Sequence, residues 1–149
     1  MKIFPVLILI AACFCEPAAL QSQAPNGWPI FEKVTFKKKF IDEFGMPIRW
    51  PVFDEKIRAW EGRKIMLTGY IIPTAQAGYK GVLVSKYTYN MCFFCGKAGL
   101  ESVAEIRLKT PLRDFKIDKP YVFLGRLRLN DSDMNSLVFI LEDAVLMEM

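Results

Sequence analysis

The residues best equipped for chemistry are Cys92 and Cys95, in the stretch Asn90-Met91-Cys92-Phe93-Phe94-Cys95-Gly96, the only cysteines outside the N-terminal leader. Two thiols with two residues between them can bond to each other or share one metal ion. Three chemistries fit that spacing. A structural or regulatory disulfide needs nothing beyond an oxidising compartment. A metal site needs ligands from elsewhere, because structural zinc takes four and the pair offers two, so zinc or copper here would draw on a partner or a second copy. A redox-active dithiol needs a thiolate stabilised by a helix N-terminus or a nearby base. Only Lys97 is placed to help Cys95, and no thioredoxin-like βαβ order surrounds the motif.

The disulfide ranks first of the three. Closing so short a loop constrains little unfolded-chain entropy, so its contribution falls low in the usual span of about 0 to 5 kcal/mol. That leaves room for a role other than stapling. Tyr87, Tyr89, Phe93 and Phe94 flank the thiols and can shield them from water or form an apolar recognition surface.

Histidine is absent from the chain. A Ser-His-Asp or Cys-His nucleophile system and a three-histidine zinc site are thereby excluded, and Cys-Phe-Phe-Cys-Gly lacks the histidine of a c-type haem attachment. Acid–base work would fall to Asp, Glu, Lys, Tyr or Cys, which turns the expectation away from an enzyme. No resident cofactor is expected beyond a zinc or copper ion at Cys92 and Cys95.

Other candidates have plainer explanations. Asp131-Ser132-Asp133-Met134-Asn135 with Glu142 copies much of an EF-hand spacing, but Ser136 stands where the sharp turn needs glycine and Leu137 to Leu141 is apolar strand. These are also the residues a hairpin turn wants. Glu142 and Asp143 alternate to opposite faces of a strand, so they cannot act as a couple. Glu142 is expected in solvent, and Asp143 on the Leu137, Phe139, Leu141 face, either near the barrel mouth or paired with Arg126 or Arg128. The seven methionines read as core filler rather than copper ligands. Lys37-Lys38-Lys39 reads as a solvated face rather than a nucleic-acid contact.

The elements that must carry these residues begin with a leader. Lys2 followed by the apolar run Ile3 to Ala12 has the order of an export signal and is too short for a stable membrane anchor. Ile10-Ala11-Ala12-Cys13 resembles a bacterial lipobox, which would make Cys13 an acylated N-terminus and tie the chain to a membrane. Ordinary cleavage between Ala18 and Ala24 is the alternative. The expected division is leader plus tether over residues 1–24 and a single β-barrel domain over 25–149, the size of one ordinary core.

Within that domain, Trp28 to Phe44 mixes strand and helix spacing and reads as a short strand running into a helical turn that Gly45 ends. Asp54 caps a short helix that stops at Gly62 and carries Ile57 and Trp60 on its buried side. Five strands follow: Lys64 to Thr74 with Gly69 at a bulge or sharp coil, Gly81 to Tyr87, Val103 to Lys109, Tyr121 to Asn130 and Leu137 to Met147. The fold class is mainly β, a small five-stranded OB-like barrel with a short N-terminal helical segment. Thr110 to Pro120 has little room for the helix many such barrels carry, so an SH3-like barrel stays open.

Pro51-Val52-Phe53, Glu61-Gly62-Arg63-Lys64, Gly69-Tyr70-Ile71-Ile72-Pro73, Cys92-Phe93-Phe94-Cys95-Gly96, Gly99-Leu100-Glu101-Ser102-Val103 and Leu129-Asn130-Asp131-Ser132-Asp133 together resemble a family of small exported proteins and lipoproteins of Gram-negative bacteria, grouped as a domain of unknown function. Leu100 stands where that pattern has proline. The resemblance implies a cell-envelope location, in the periplasm or as a membrane-anchored lipoprotein, and a small β domain. It implies no activity. An OB-like surface with Tyr87, Tyr89, Phe93, Arg107, Arg126 and Arg128 has residue types that bind single-stranded nucleic acid, but export argues against that ligand. The expected function is non-enzymatic binding of an envelope protein or small ligand, with a structural or regulatory CxxC loop. The alternative is thiol-disulfide redox or metal handling by Cys92 and Cys95.

Overall fold

A computed structural model describes residues 24–73, 81–91, 96 and 98–147. Five strands close into a barrel: β3 (Lys64–Ile72), β4 (Gly81–Ser85), β5 (Val103–Leu108), β6 (Pro120–Leu129) and β7 (Phe139–Met147). Going round it, the order is β3-β4-β5-β7-β6 and back to β3, antiparallel throughout except for β5 beside β7. That order, with its single parallel pair, is OB-like and decides against the SH3-like alternative. The barrel closes although Thr110 to Lys119 contains no helix.

Alternation supplies the core. Ile65, Leu67 and Ile71 of β3, Val82 and Val84 of β4, Ala104, Ile106 and Leu108 of β5, and Phe123, Leu127 and Leu129 of β6 all point inward and are buried. Gly69 is a contact site as well as a coil: a Cβ there would collide with the Ser85 carbonyl oxygen and the Val84 side chain, so β3 and β4 meet only because it is glycine.

One end of the barrel is plugged by the helix α1 (Trp28–Phe31), with Pro29 in its first turn. The Phe31 ring stacks on Phe139, and the Trp28 indole nitrogen donates to the Thr68 carbonyl at 2.8 Å. Lys86, just past β4, pairs with Glu32 at the end of α1, and that hydrogen bond holds the ammonium above its ordinary pKa. A second one-turn helix, α2 (Glu55–Arg58), starts at the expected cap: the Asp54 carboxylate accepts from the Ile57 N–H at 2.8 Å. Gly62, at φ +73°, turns the chain into β3.

Four expectations are corrected. Trp28 to Phe44 does yield a strand, β1 (Thr35–Ile41), and a 3-10 turn ended by Gly45 at φ +62°, but β1 then pairs with an unexpected strand, β2 (Met46–Val52), in a hairpin separate from the barrel. Pro47 and Pro51 hid β2, because proline is poor in a strand unless its missing N–H faces away from the partner.

Asp143 does not lie on the core face. A bulge in β7 opposite Leu124–Arg126 of β6 shifts the register, Asp143 takes φ +51° and turns to solvent, and Ala144 takes the inward place. The partner of Arg128 is Glu142, at 3.0 Å. Nor do the described methionines fill the core: Met46, Met91, Met134 and Met147 are exposed, and Met66 is half-buried.

Candidate functional site

At the end of the barrel plugged by α1, the β6–β7 turn faces the hairpin across a cleft of about 130 Å³. The turn begins at Asn130, a buried polar side chain that organises it. Its Nδ2 donates to the carbonyls of Asp133 (2.7 Å), Ser136 (3.1 Å) and Leu137 (3.1 Å), and its Oδ1 accepts from the backbone N–H of Asp133 at 2.9 Å. Such bonds from a short polar side chain to its own turn are what favour Asn at this position.

Asp133 is held in turn. Its carboxylate accepts from the Asn135 backbone N–H and from the Ser136 hydroxyl, both at 2.9 Å. Those bonds favour the ionised form, the backbone one most, and lower its pKa below the ordinary value. Asp131 pairs with Arg58 of α2.

An ionic strip on the outside of β5, β7 and β6 fixes the turn to the barrel. Arg107 donates to Glu105 (2.8 Å), to the Ser136 hydroxyl (3.1 Å) and to Glu142 (3.4 Å), while Glu105 also accepts from the Leu137 N–H at 3.2 Å. The residues that looked like calcium ligands therefore build a hairpin turn. Among the described residues, no three Cys, Asp or Glu side chains gather as a metal site would require.

The opposite wall of the cleft is β2. Ile48, Arg49, Trp50 and Pro51 line it, with Leu100 and Val103 on the floor. Lys39 sits over the Trp50 ring at 4.2 Å. One wall thus carries an aromatic ring and a cation, the other a carboxylate and the exposed thioether of Met134, above an apolar floor. This arrangement can grip an extended ligand that has both polar and apolar groups.

The expected site residues fall in different places. Cys92, Phe93, Phe94 and Cys95 lie outside the described residues, as does Cys13. The connection that bears the cysteines leaves β4 after Ser85 and rejoins the barrel through the 3-10 turn Leu100–Ser102, whose first residue lies on the cleft floor. Tyr87 is exposed beside Lys86, and Tyr89 opens a 3-10 turn. Arg126 and Arg128 share the outer face of β6. Arg126 donates to the Gly62 carbonyl at 3.2 Å beside a recess also lined by Lys64 and Lys109, whereas Arg128 is taken up by Glu142. No contact among the described residues joins either arginine to Tyr87. Sequence reasoning missed Asn130, Trp50 and Leu100. Asn130 had a usable signal as the first residue of a polar turn; Trp50 had none once its flanking prolines argued against a strand.

No protein-family model matches the sequence, and no curated protein matches it. A solved structure with some similarity is that of a DUF3299 family protein from Pseudomonas aeruginosa, 15% identical, with a TM-score of 0.46 over 66% of this chain and 68% of the other.

Proposed function

We propose that this protein is a non-enzymatic binding or accessory protein of the cell envelope that holds an extended ligand, a segment of an envelope protein or a small molecule, in the cleft between β2 and the β6–β7 turn. The observation that carries this reading is the cleft itself, with Trp50 on one wall and the internally bonded Asp133 turn on the other. Loops braced by a rigid barrel are where binding residues concentrate. In this reading the leader exports the chain, Cys13 anchors it, and Cys92 and Cys95 form a disulfide that shapes the loop leading to Leu100. The second reading, thiol-disulfide exchange or metal handling by Cys92 and Cys95, is favoured by the position of Leu100 on the cleft floor, which brings the loop's return next to a bound partner.

Two measurements separate the readings. In the first, an isotope-labelled domain is titrated with peptidoglycan fragments and short envelope peptides, and the binding reading expects amide shifts confined to Ile48–Pro51, Leu100 and Asn130–Val138. In the second, the cysteines of protein recovered from cells are alkylated and weighed, with a metal assay alongside. A bond that resists glutathione with no metal present sinks the redox and metal reading. A rapidly exchanging pair, or stoichiometric zinc or copper lost in Cys92→Ser, sinks the structural one.

A further inference from the structure

The β1–β2 hairpin carries a surface that the cleft touches only at its barrel end, through Arg49 and Pro51. Its register puts Lys38 directly opposite Arg49 and Phe40 directly opposite Pro47, so these four side chains share one face. All four are exposed, Phe40 at 60%. At the barrel end of the same face, Phe36 packs against the core and Pro51 is buried, so the face is anchored at one end and free at the other.

Two like charges directly across a ladder repel. Arg58, Lys86, Arg107 and Arg128 all have carboxylate partners, but among the described residues no carboxylate pairs with Lys37, Lys38, Lys39 or Arg49. Arg49 instead lies over the Phe36 ring at 5.1 Å, diagonally across the ladder on the barrel side of Lys38. The cations are interleaved with apolar groups that are wasted in water: Phe40 and Pro47 on this face, and Met46, 56% exposed, at the start of β2.

We propose that this face docks on an anionic phospholipid bilayer, the Lys38 and Arg49 cations on lipid phosphates and the Phe40 ring at the boundary between headgroups and acyl chains. A soluble anion would neutralise the cations and leave the apolar groups in water; a lipid surface takes both. Asp42 and Glu43 occupy the turn beyond the last ladder pair, so an end-on approach would press carboxylates against an anionic surface. The hairpin therefore lies flat on its Lys38/Arg49 face. This contact is separate from any lipid on Cys13 and shares only Arg49 with the cleft.

The test is flotation of the chain from Ala24, which contains every strand and buried residue described, with vesicles of phosphatidylcholine alone and of phosphatidylcholine mixed with phosphatidylglycerol. Binding is expected to the mixed vesicles only, to weaken with salt, and to fall about fivefold for each cation removed. Phe40→Ser lowers it as well, while Lys116→Glu, in the exposed loop before β6, leaves it unchanged. Lys38→Glu gives the readout a merely structural residue would not: facing Arg49 it keeps or raises thermal stability while partition falls. Equal flotation with neutral vesicles, no flotation at all, or a Lys38→Glu, Arg49→Glu chain that floats like the parent overturns the proposal. So does binding to heparin that is indifferent to Phe40→Ser, which would mark a soluble polyanion as the ligand.

Discussion

The Phe31 ring lies flat on Phe139, the centroids 3.9 Å apart and the planes 6° from parallel, so the N-terminal helix and the last strand close the barrel end together. Both rings are fully buried. Phe31→Ala leaves a cavity beneath Trp28 and is expected to cost about 3 to 5 kcal/mol. Urea denaturation followed by tryptophan fluorescence measures this; a loss under 1 kcal/mol would mean the helix only rests on the barrel.

Asn130 anchors the turn through donor and acceptor bonds at once. Asn130→Ala orphans the turn's carbonyls and N–H groups and is expected to destabilise by about 1 to 3 kcal/mol. Hydrogen exchange should accelerate over Asp131–Leu137 more than elsewhere. Ligand shifts on the turn side of the cleft should disappear with it.

Two glycines give opposite outcomes on substitution. At Gly69 a Cβ meets the Ser85 backbone, whereas at Gly81 the nearest atom is the Ile106 carbonyl oxygen at 3.7 Å. Gly69→Ala should cost about 1 to 3 kcal/mol by overpacking. Gly81→Ala should be neutral, or stabilise by up to about 1 kcal/mol through a less free unfolded chain. Thermal melts of the two variants decide it.

The turn should loosen in acid. The pKa of Asp133 is lower folded than unfolded, so its contribution is complete above the ordinary Asp range and is lost as pH falls through the lowered value. Chemical shifts of the Asn135 and Ser136 amides against pH should report that step, and Asp133→Asn should remove it. A titration of those amides at the ordinary Asp pKa would show that the bonds do not hold in solution.

Much of the barrel was legible in the sequence because its strands bury apolar residues in alternation over much of their length, most cleanly in β5, where Ala104, Ile106 and Leu108 alternate with Glu105 and Arg107. The hairpin was half legible. It buries little and contains prolines, so no hydrophobic period marks β2. Asp143 was misplaced because a bulge adds a residue to the count, and nothing local in Leu141-Glu142-Asp143-Ala144 announces where alternation resets. The cleft was not legible at all: its walls are 80 residues apart in sequence, Trp50 against Asn130, and only the fold brings them together.

The single parallel pair has a consequence for how the chain is made. β7 sits between β5 and β6, so until the final strand emerges both of those neighbours are open edges with unpaired backbone groups. A nascent chain that stalls before Phe139 would be a curled, four-stranded sheet able to recruit strands from other molecules. Closure of the barrel is therefore decided by β7, and a holdase that covers β5 and β6 until it arrives would raise the yield of folded barrel.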